Sequence, residues 1–311
     1  MENEKKETVL VTGGSGFIGK NLIPQLLGAG FKVMNVSRTE IKNWPVENIK
    51  ADLARSDFNF LKRVNFDYLI HLAALSNNRL CQDIEVAKKH NIDLTFNLFN
   101  FLSSHKHLKK IIYLSSSIIY SEKNSNPIKE SGSLNIFYNN YSFTKGMAEF
   151  WAEYFRKFYQ LPILSFRLSN IYGPHQEYRN FPLLVPQIIS QALINKEIEI
   201  LNNKPVRDWI FVQDAVSAIV LGLKSDYQGV MNLATGEGHA VGEIVKIVAK
   251  LTGAKIKILN QPTVGPHYQV CDIGLIKKEL KWHPRFKLAE GLKKTIDFYR
   301  KEIKRSEIEK N

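Results

Sequence analysis

Cysteine is scarce in this chain: Cys81 and Cys271 are the only two among 311 residues. Two are too few for a disulfide framework. No apolar run reaches the roughly 18 residues that a membrane-spanning helix needs. The opening residues, MENEKKE, lack the apolar core of a signal peptide. These absences lead to the expectation of a cytoplasmic protein with free thiols. The eight histidines are scattered, without the spacing of a metal site. Acids are also short: 30 Asp and Glu stand against 43 Lys and Arg, a formal charge of +13. The cations are spread along the chain, and acids are interleaved in the one concentrated tail, 300–310. No basic stripe with interleaved aromatics occurs, which argues against nucleic acid as a partner. The charge reads as a solvated lysine-rich surface or as attraction for an anionic small substrate.

What is present begins with VLVTGGSGFIG at 9–19. An apolar run leads into Thr12, then glycines at 13, 16 and 19, then an amphipathic segment from Lys20 to Ala29. That pattern predicts a buried strand, a tight turn and a helix start. Gly13 would supply the turn, Gly16 would let a pyrophosphate approach the backbone, and Gly19 would let the helix pack close to its strand. Ser15, Phe17 and Ile18 lie at the helix N-terminus, where free N–H groups and the helix dipole suit a phosphate.

Further strands are expected at 32–36, 49–51, 68–72 and 110–114, with a long helix over about 84–105. Five β–α alternations in about 115 residues argue an α/β fold, a doubly wound parallel sheet with helices on both faces. Ligands bind beyond the carboxyl ends of such strands. Ser37 and Arg38 follow the second strand, where an acid would bind both ribose hydroxyls of NAD. A neutral residue plus a cation suits a ribose 2′-phosphate, hence NADP, with NAD still possible. Arg38 stacking on adenine or facing solvent stays open. Asp52, with Leu53, would accept from the adenine amino group or cap the next helix. Leu72, Ala73 and Ala74 leave room for a flat cofactor. The strand at 110–114 delivers Ser115, Ser116 and Ser117. Tyr141 and Lys145, four apart at a predicted helix start, share one face. An ammonium beside a phenol lowers its pKa, and such a phenol can give or take a proton near neutrality.

These pieces together resemble the extended short-chain dehydrogenase/reductase family, the nucleotide-sugar epimerases, dehydratases and reductases. The matching segments are TGGSGFIG at 12–19, DL at 52–53, HLAA at 71–74, Asn91, SSSIIY at 115–120 and YSFTK at 141–145. RLSNIYGP at 167–174, RDWIFVQDA at 207–215, NLATGEG at 232–238 and KKELKWHP through EGL at 290–292 complete the order. The resemblance implies a Rossmann-type sheet with a smaller C-terminal α/β substrate lobe. It implies Ser116, Tyr141 and Lys145 as catalytic residues, with Lys145 on the nicotinamide ribose and Asn91 at the cofactor. Ser117, Asn170, Phe181 and Arg207 would bind a nucleotide sugar, Arg207 at its diphosphate bridge. The alternative for Arg207 is an ion pair with Asp208, and for Phe181 a plain core role.

Residues 1–174, with 207–235 returning, are expected to bind the dinucleotide, and 175–206 with 236–311 to form the substrate lobe. Ile118 stands where the family's dehydratases carry an acid, so water elimination is disfavoured. The NADP-type strand end favours NADPH-dependent reduction of a 4-keto nucleotide sugar. A nucleotide-sugar 4-epimerase with retained cofactor is the alternative, and a non-catalytic NADP-binding sensor a further one. Aromatics on the helices at 84–105 and 141–159 lead to the expectation of a homodimer.

Overall fold

A computed structural model describes residues 6–105, 107–180, 182–262 and 265–308. The strands are β1 (Thr8–Thr12), β2 (Lys32–Ser37), β3 (Glu47–Lys50), β4 (Tyr68–His71), β5 (Lys110–Ser116), β6 (Ile163–Leu168) and β7 (Asn170–Tyr172). They continue with β8 (Glu197–Ile200), β9 (Val206–Phe211), β10 (Gly229–Leu233), β11 (Gly238–Ala240), β12 (Lys255–Ile258) and β13 (Tyr268–Gln269). The helices that matter here are α1 (Phe17–Gly28), α2 (Ile84–Ala87), α3 (Leu94–Leu102), α4 (Asn140–Phe158), α5 (Leu184–Ile194) and α6 (Val212–Leu223). The C-terminal helix, α7 here, spans Leu288–Ile308.

Seven parallel strands form the central sheet in the order β10-β6-β5-β4-β1-β2-β3. The continuous apolar runs explain why both of its faces are covered. Successive strand residues point to opposite faces. Val9 and Val11 join the core that includes Leu22, Ile23 and Leu26 of α1 and Ala215 and Ile219 of α6. Leu10 between them joins Leu98 and Phe99 of α3 and Ala148 and Phe155 of α4. All three strand residues are fully buried, each worth about 1.5–3 kcal/mol. The strand order reverses at β1, whose neighbours are β2 and β4. That is the switch point at which a doubly wound sheet opens a crevice.

Residues after β6 leave this alternation. β7, β9, β11 and β13 make a second sheet centred on β9, while β8 pairs with β12. Within the segment expected to return to the first domain, β10 joins the central sheet beside β6, whereas β9 belongs to the second sheet.

The helix expected over 84–105 is not uniform. Asp83 caps α2 by accepting from Glu85 N and Val86 N, a wide π turn covers Lys88–Asp93, and α3 follows. The π turn carries Asn91, whose amide is drawn inward onto Leu75 and Thr144. Such bulges recur near functional sites because they shift the facing of neighbouring side chains. At the start of α4, Asn139 Oδ1 accepts from Ser142 N at 2.8 Å and Ser142 Oγ accepts from Asn139 N at 2.9 Å. This reciprocal cap fixes the first turn, and so the position of Tyr141.

Candidate active site

The carboxyl ends of the central strands and the second sheet enclose one continuous cleft of about 1130 Å³. Its floor begins at the glycine turn. Gly13 has φ of +69°, and a Cβ there would lie 2.9 Å from the Ala73 backbone. Only glycine suits both the dihedral and the approach. At Gly19 a Cβ would fall 2.2 Å from the Gly14 carbonyl, so the helix packs directly on the turn. Gly16 is the N-cap of α1 and provides no side-chain cap. The first-turn N–H groups therefore remain for an anion. Ser15, Gly16, Phe17 and Ile18 line this end, with Leu72, Ala73 and Ala74 opposite. The cradle fits the pyrophosphate and flat rings of a dinucleotide.

His71 ties this floor together. Its ring nitrogens meet Thr12 Oγ1 at 2.7 Å and Thr95 Oγ1 at 3.3 Å, and Thr12 Oγ1 accepts from Ala73 N. Burial, helped by the charge of Lys145, pushes His71 down to about 3, so it is a neutral structural imidazole.

At the adenosine end, Ser37, Arg38, Asp52 and Leu53 line the cleft. The Ser37 hydroxyl is committed inward: it donates to Thr39 O at 2.6 Å and accepts from Asn35 Nδ2 at 3.0 Å. Asp52 caps the short turn Leu53–Arg55 by accepting from Ala54 N, with Arg55 Nε 3.6 Å from its other oxygen.

At the other end, β5 and α4 bring Ser116, Tyr141 and Lys145 together. Here the expected chemistry is altered. Burial pushes Tyr141 up to about 12, and a hydrogen bond with Ser116 pulls the other way. Lys145 is not among the groups that act on the phenol. Its Nζ donates to Leu114 O at 2.6 Å and lies over the Tyr113 ring, and burial pushes it down to about 8. The expected i, i+4 face is real; the expected lowering of Tyr141 by Lys145 alone is not.

Asn91 departs from its expected place. It is buried away from the cleft, accepting from Leu75 N at 2.8 Å and donating to Thr144 Oγ1 at 3.0 Å. A short amide on the inner side of the π turn reaches the loop after β4 and the helix α4, not a cofactor. Ser117 is buried with its hydroxyl against the Cys271 thiol, and its carbonyl accepts from Gln269 Nε2 at 2.9 Å. Asn170 lines the cleft and donates to the Asp208 carbonyl. Phe181 lies outside the described residues.

Arg207 is 8% exposed and lines the cleft. It is not paired with Asp208. That carboxylate turns away to accept from Thr235 N, Thr235 Oγ1 and Gly236 N at 2.8–2.9 Å. Arg207 Nη1 donates to the Val206 carbonyl. Burial pushes it down to about 10, with Glu122 and Tyr138 opposing, so it stays a cation at neutral pH. A buried cation without an ion-pair contact is costly unless an anion arrives.

Sequence reasoning missed Gln269, which is brought beside Arg207 by the β13–β9 register, and His90, which the π turn presents to the adenosine end. Neither carries a sequence signal: Gln269 depends on strand pairing and His90 on the π turn.

Residues 9–234 match the model of the NAD dependent epimerase/dehydratase family. The chain belongs to this family. It is thus an enzyme of the extended short-chain dehydrogenase type. A curated relative, UDP-glucuronate 4-epimerase from Thermodesulfobacterium geofontis, is 27% identical over 316 residues, covering 94% of this chain and 96% of that protein. Among solved structures, UDP-N-acetylglucosamine 4-epimerase from Methanobrevibacter ruminantium M1, in complex with UDP-N-acetylmuramic acid, superimposes with a TM-score of 0.88 at 27% identity. It covers 96% of this chain and 99% of that one. UDP-glucuronic acid 4-epimerase from Bacillus cereus, in complex with UDP-glucuronic acid and NAD, gives a TM-score of 0.85 at 25% identity, covering 95% and 99%. Among the described residues no helix is long and apolar enough to cross a membrane, and no cluster suits a metal.

Proposed function

We propose that this enzyme inverts carbon 4 of a nucleotide-activated sugar, with a nicotinamide dinucleotide retained in the cleft. The observation that carries this is the pairing, in one cleft, of a complete Ser116–Tyr141–Lys145 site with a buried Arg207 that makes no ion-pair contact with Asp208. Ile118 and Ser117 stand where water elimination would need acids. The similarity to 4-epimerases over nearly the whole chain turns the balance from reduction, which the sequence favours, to epimerisation.

In this reading the glycine turn and the α1 N-terminus hold the pyrophosphate. When bound, the dinucleotide supplies a hydride acceptor and donor, and in its oxidised form a positive ring. Tyr141 would take the proton of the C4 hydroxyl as carbon 4 loses its hydride and becomes a ketone, and return that proton to the same oxygen when hydride comes back to the opposite face of the carbon. Ser116 bonds the same oxygen, which keeps the proton path fixed while the sugar turns. Lys145 holds the nicotinamide ribose, leaving the Leu114 carbonyl to do so. Arg207 takes the diphosphate, where its planar fork matches two phosphate oxygens. The division of labour follows the sheets: the central sheet, which β10 rejoins, for the cofactor, and the second sheet around β9, with Arg207, for the sugar nucleotide. For the cofactor we propose NADP, since β2 ends without a carboxylate. That feature also favours the second reading, reduction of a 4-keto nucleotide sugar. Phe150, Tyr154 and Phe158 are exposed on α4, the last at 72%, and we propose that a second copy of the chain covers them.

The deciding experiment incubates the purified enzyme with a panel of nucleotide sugars and no added reductant. Conversion of one sugar to its 4-epimer, with no net change at the reduced-nicotinamide band, is the expected result. Consumption of NADPH only with 4-keto substrates would replace epimerisation by reduction. Arg207→Ala is expected to raise KM by about 10- to 100-fold with a smaller change in kcat, from the loss of charge-assisted bonds worth about 1.5–3 kcal/mol. Steady-state kinetics checks it; an unchanged KM removes Arg207 from the substrate.

A further inference from the structure

Tyr113 of β5 lies in the floor beneath the catalytic residues and is 2% exposed. The parallel register sets it beside His71 of β4 and Ser165 of β6. Its ring stacks on the His71 ring, with centroids 5.9 Å apart at 26°, and meets Phe99 of α3 edge-on at 6.1 Å. His71 is itself held by Thr12 and Thr95, so the Tyr113 ring is clamped. Lys145, one turn beyond Tyr141 on α4, carries its Nζ 5.5 Å from the centre of that ring. A ring face attracts a cation at this range, most strongly where water is excluded. Lys145 is buried, so this condition is met.

We propose that Tyr113 is a positioning residue: its ring face keeps the Lys145 ammonium charged and poised for the nicotinamide ribose. The proposal rests on the reading that Lys145 serves a dinucleotide, and it adds a residue that acts through Lys145 alone. The need follows from burial, which brings Lys145 down to about 8, so the cation is lost as pH rises through that value. The other groups that face Lys145 give it limited support. Burial raises Cys81, from the turn before α2, so it stands there as a thiol. Glu149, one turn further along α4, favours the cation, but its carboxylate is already shared with Arg167 of β6. His71 is neutral, and Tyr141 is a phenol. The Leu114 carbonyl holds Nζ at 2.6 Å, and that bond is given up when Lys145 turns to the ribose. The Tyr113 ring stays beneath the ammonium through that change.

Fluorinated phenylalanines at position 113 test this, because each added fluorine weakens the negative ring face and leaves the packing shape nearly unchanged. Tyr113→Phe is the reference. The first readout needs no turnover. The side-chain NMR signal of Lys145, identified by its loss in Lys145→Met, is titrated with pH in the purified enzyme. Wild type and Tyr113→Phe are expected to titrate at nearly the same pH, and a trifluorinated ring to bring the midpoint down by about 0.5–1.5 pH units. The second readout is the descending limb of the kcat profile, where Lys145 loses its proton. It should move to lower pH in step with the NMR midpoint, whereas a merely structural loss would lower kcat at every pH and leave the limb in place. A Lys145 midpoint unmoved by fluorination would overturn the proposal. So would a fall in Tyr113→Phe as large as in the trifluorinated protein, since the hydroxyl and not the ring would then be responsible. Turnover of a sugar nucleotide with an unmoved NMR midpoint would sink this proposal alone. The expected NMR series in a protein that turns over no sugar nucleotide would sink the proposed reaction alone.

Discussion

Replacing Tyr141 by phenylalanine is expected to lower kcat by about 10²- to 10⁴-fold, the usual worth of a positioned proton-transfer group. Dinucleotide affinity should stay within about threefold, because the cradle at Gly13–Ile18 and the residues after β4 are untouched. The ring itself is retained, and the substitution removes only the hydroxyl that Ser116 bonds. Folding should survive, since the reciprocal Asn139–Ser142 cap and Lys145–Leu114 bond hold the first turn of α4 without that hydroxyl. The pH profile is informative as well. Burial raises Tyr141 to about 12, so it is a phenol throughout the neutral range. To serve as base it must be brought down in the loaded enzyme, where a positive ring replaces water beside it. An ascending limb of kcat near neutral pH is therefore expected, and it should disappear in Tyr141→Phe. Undiminished kcat in that variant would remove Tyr141 from the chemistry.

Glu149→Ala is expected to destabilise the protein by about 3–5 kcal/mol, the cost of stranding a buried charge. Arg167 on β6 gives Glu149 on α4 a two-point bond, Nη2 at 2.6 Å and Nε at 3.0 Å, with both side chains buried. Arg167 Nη1 also donates to the Glu130 carbonyl at 2.8 Å, and its guanidinium stacks 4.8 Å from the Tyr120 ring centroid. Glu130 in turn accepts from Asn232 N, and Tyr120 donates to Asn232 Oδ1. The pair thus joins α4, β6, β10 and the loop before α4 in one polar cluster. Urea unfolding should show a lower midpoint with an unchanged slope. Adding Arg167→Met to a Glu149→Leu change should recover much of the loss, since no charge is then left buried. A cost under about 1 kcal/mol for Glu149→Ala would mean that the pair is not coupled to the fold.

Much of the site was legible because its signals are local. A glycine that must adopt φ of +69° against Ala73 is written in the TGGSGFIG run, and the apolar triplet before it names its strand. Tyr141 and Lys145 share a face because the helix period demands it. What was illegible depends on partners distant in sequence. Asn91 lies 53 residues from Thr144, and only the packing of the π turn on α4 shows that its amide serves the scaffold. Arg167 sits in a motif that resemblance links to substrate, yet its work is to neutralise Glu149. Asp208 follows Arg207 directly but turns to the loop at 235–236, because adjacent strand residues face opposite ways.

By itself the sequence determined the parallel doubly wound sheet, the anion-binding turn at its first crossover, and the candidate proton-transfer residues. Each follows from backbone sterics and from the periods of helix and strand, which operate within a few residues. Only the tertiary structure decided the charge state of those residues. Burial, a property of the whole assembled fold, raises Tyr141 to about 12, lowers Lys145 to about 8 and brings Arg207 down to about 10, still a cation at neutral pH.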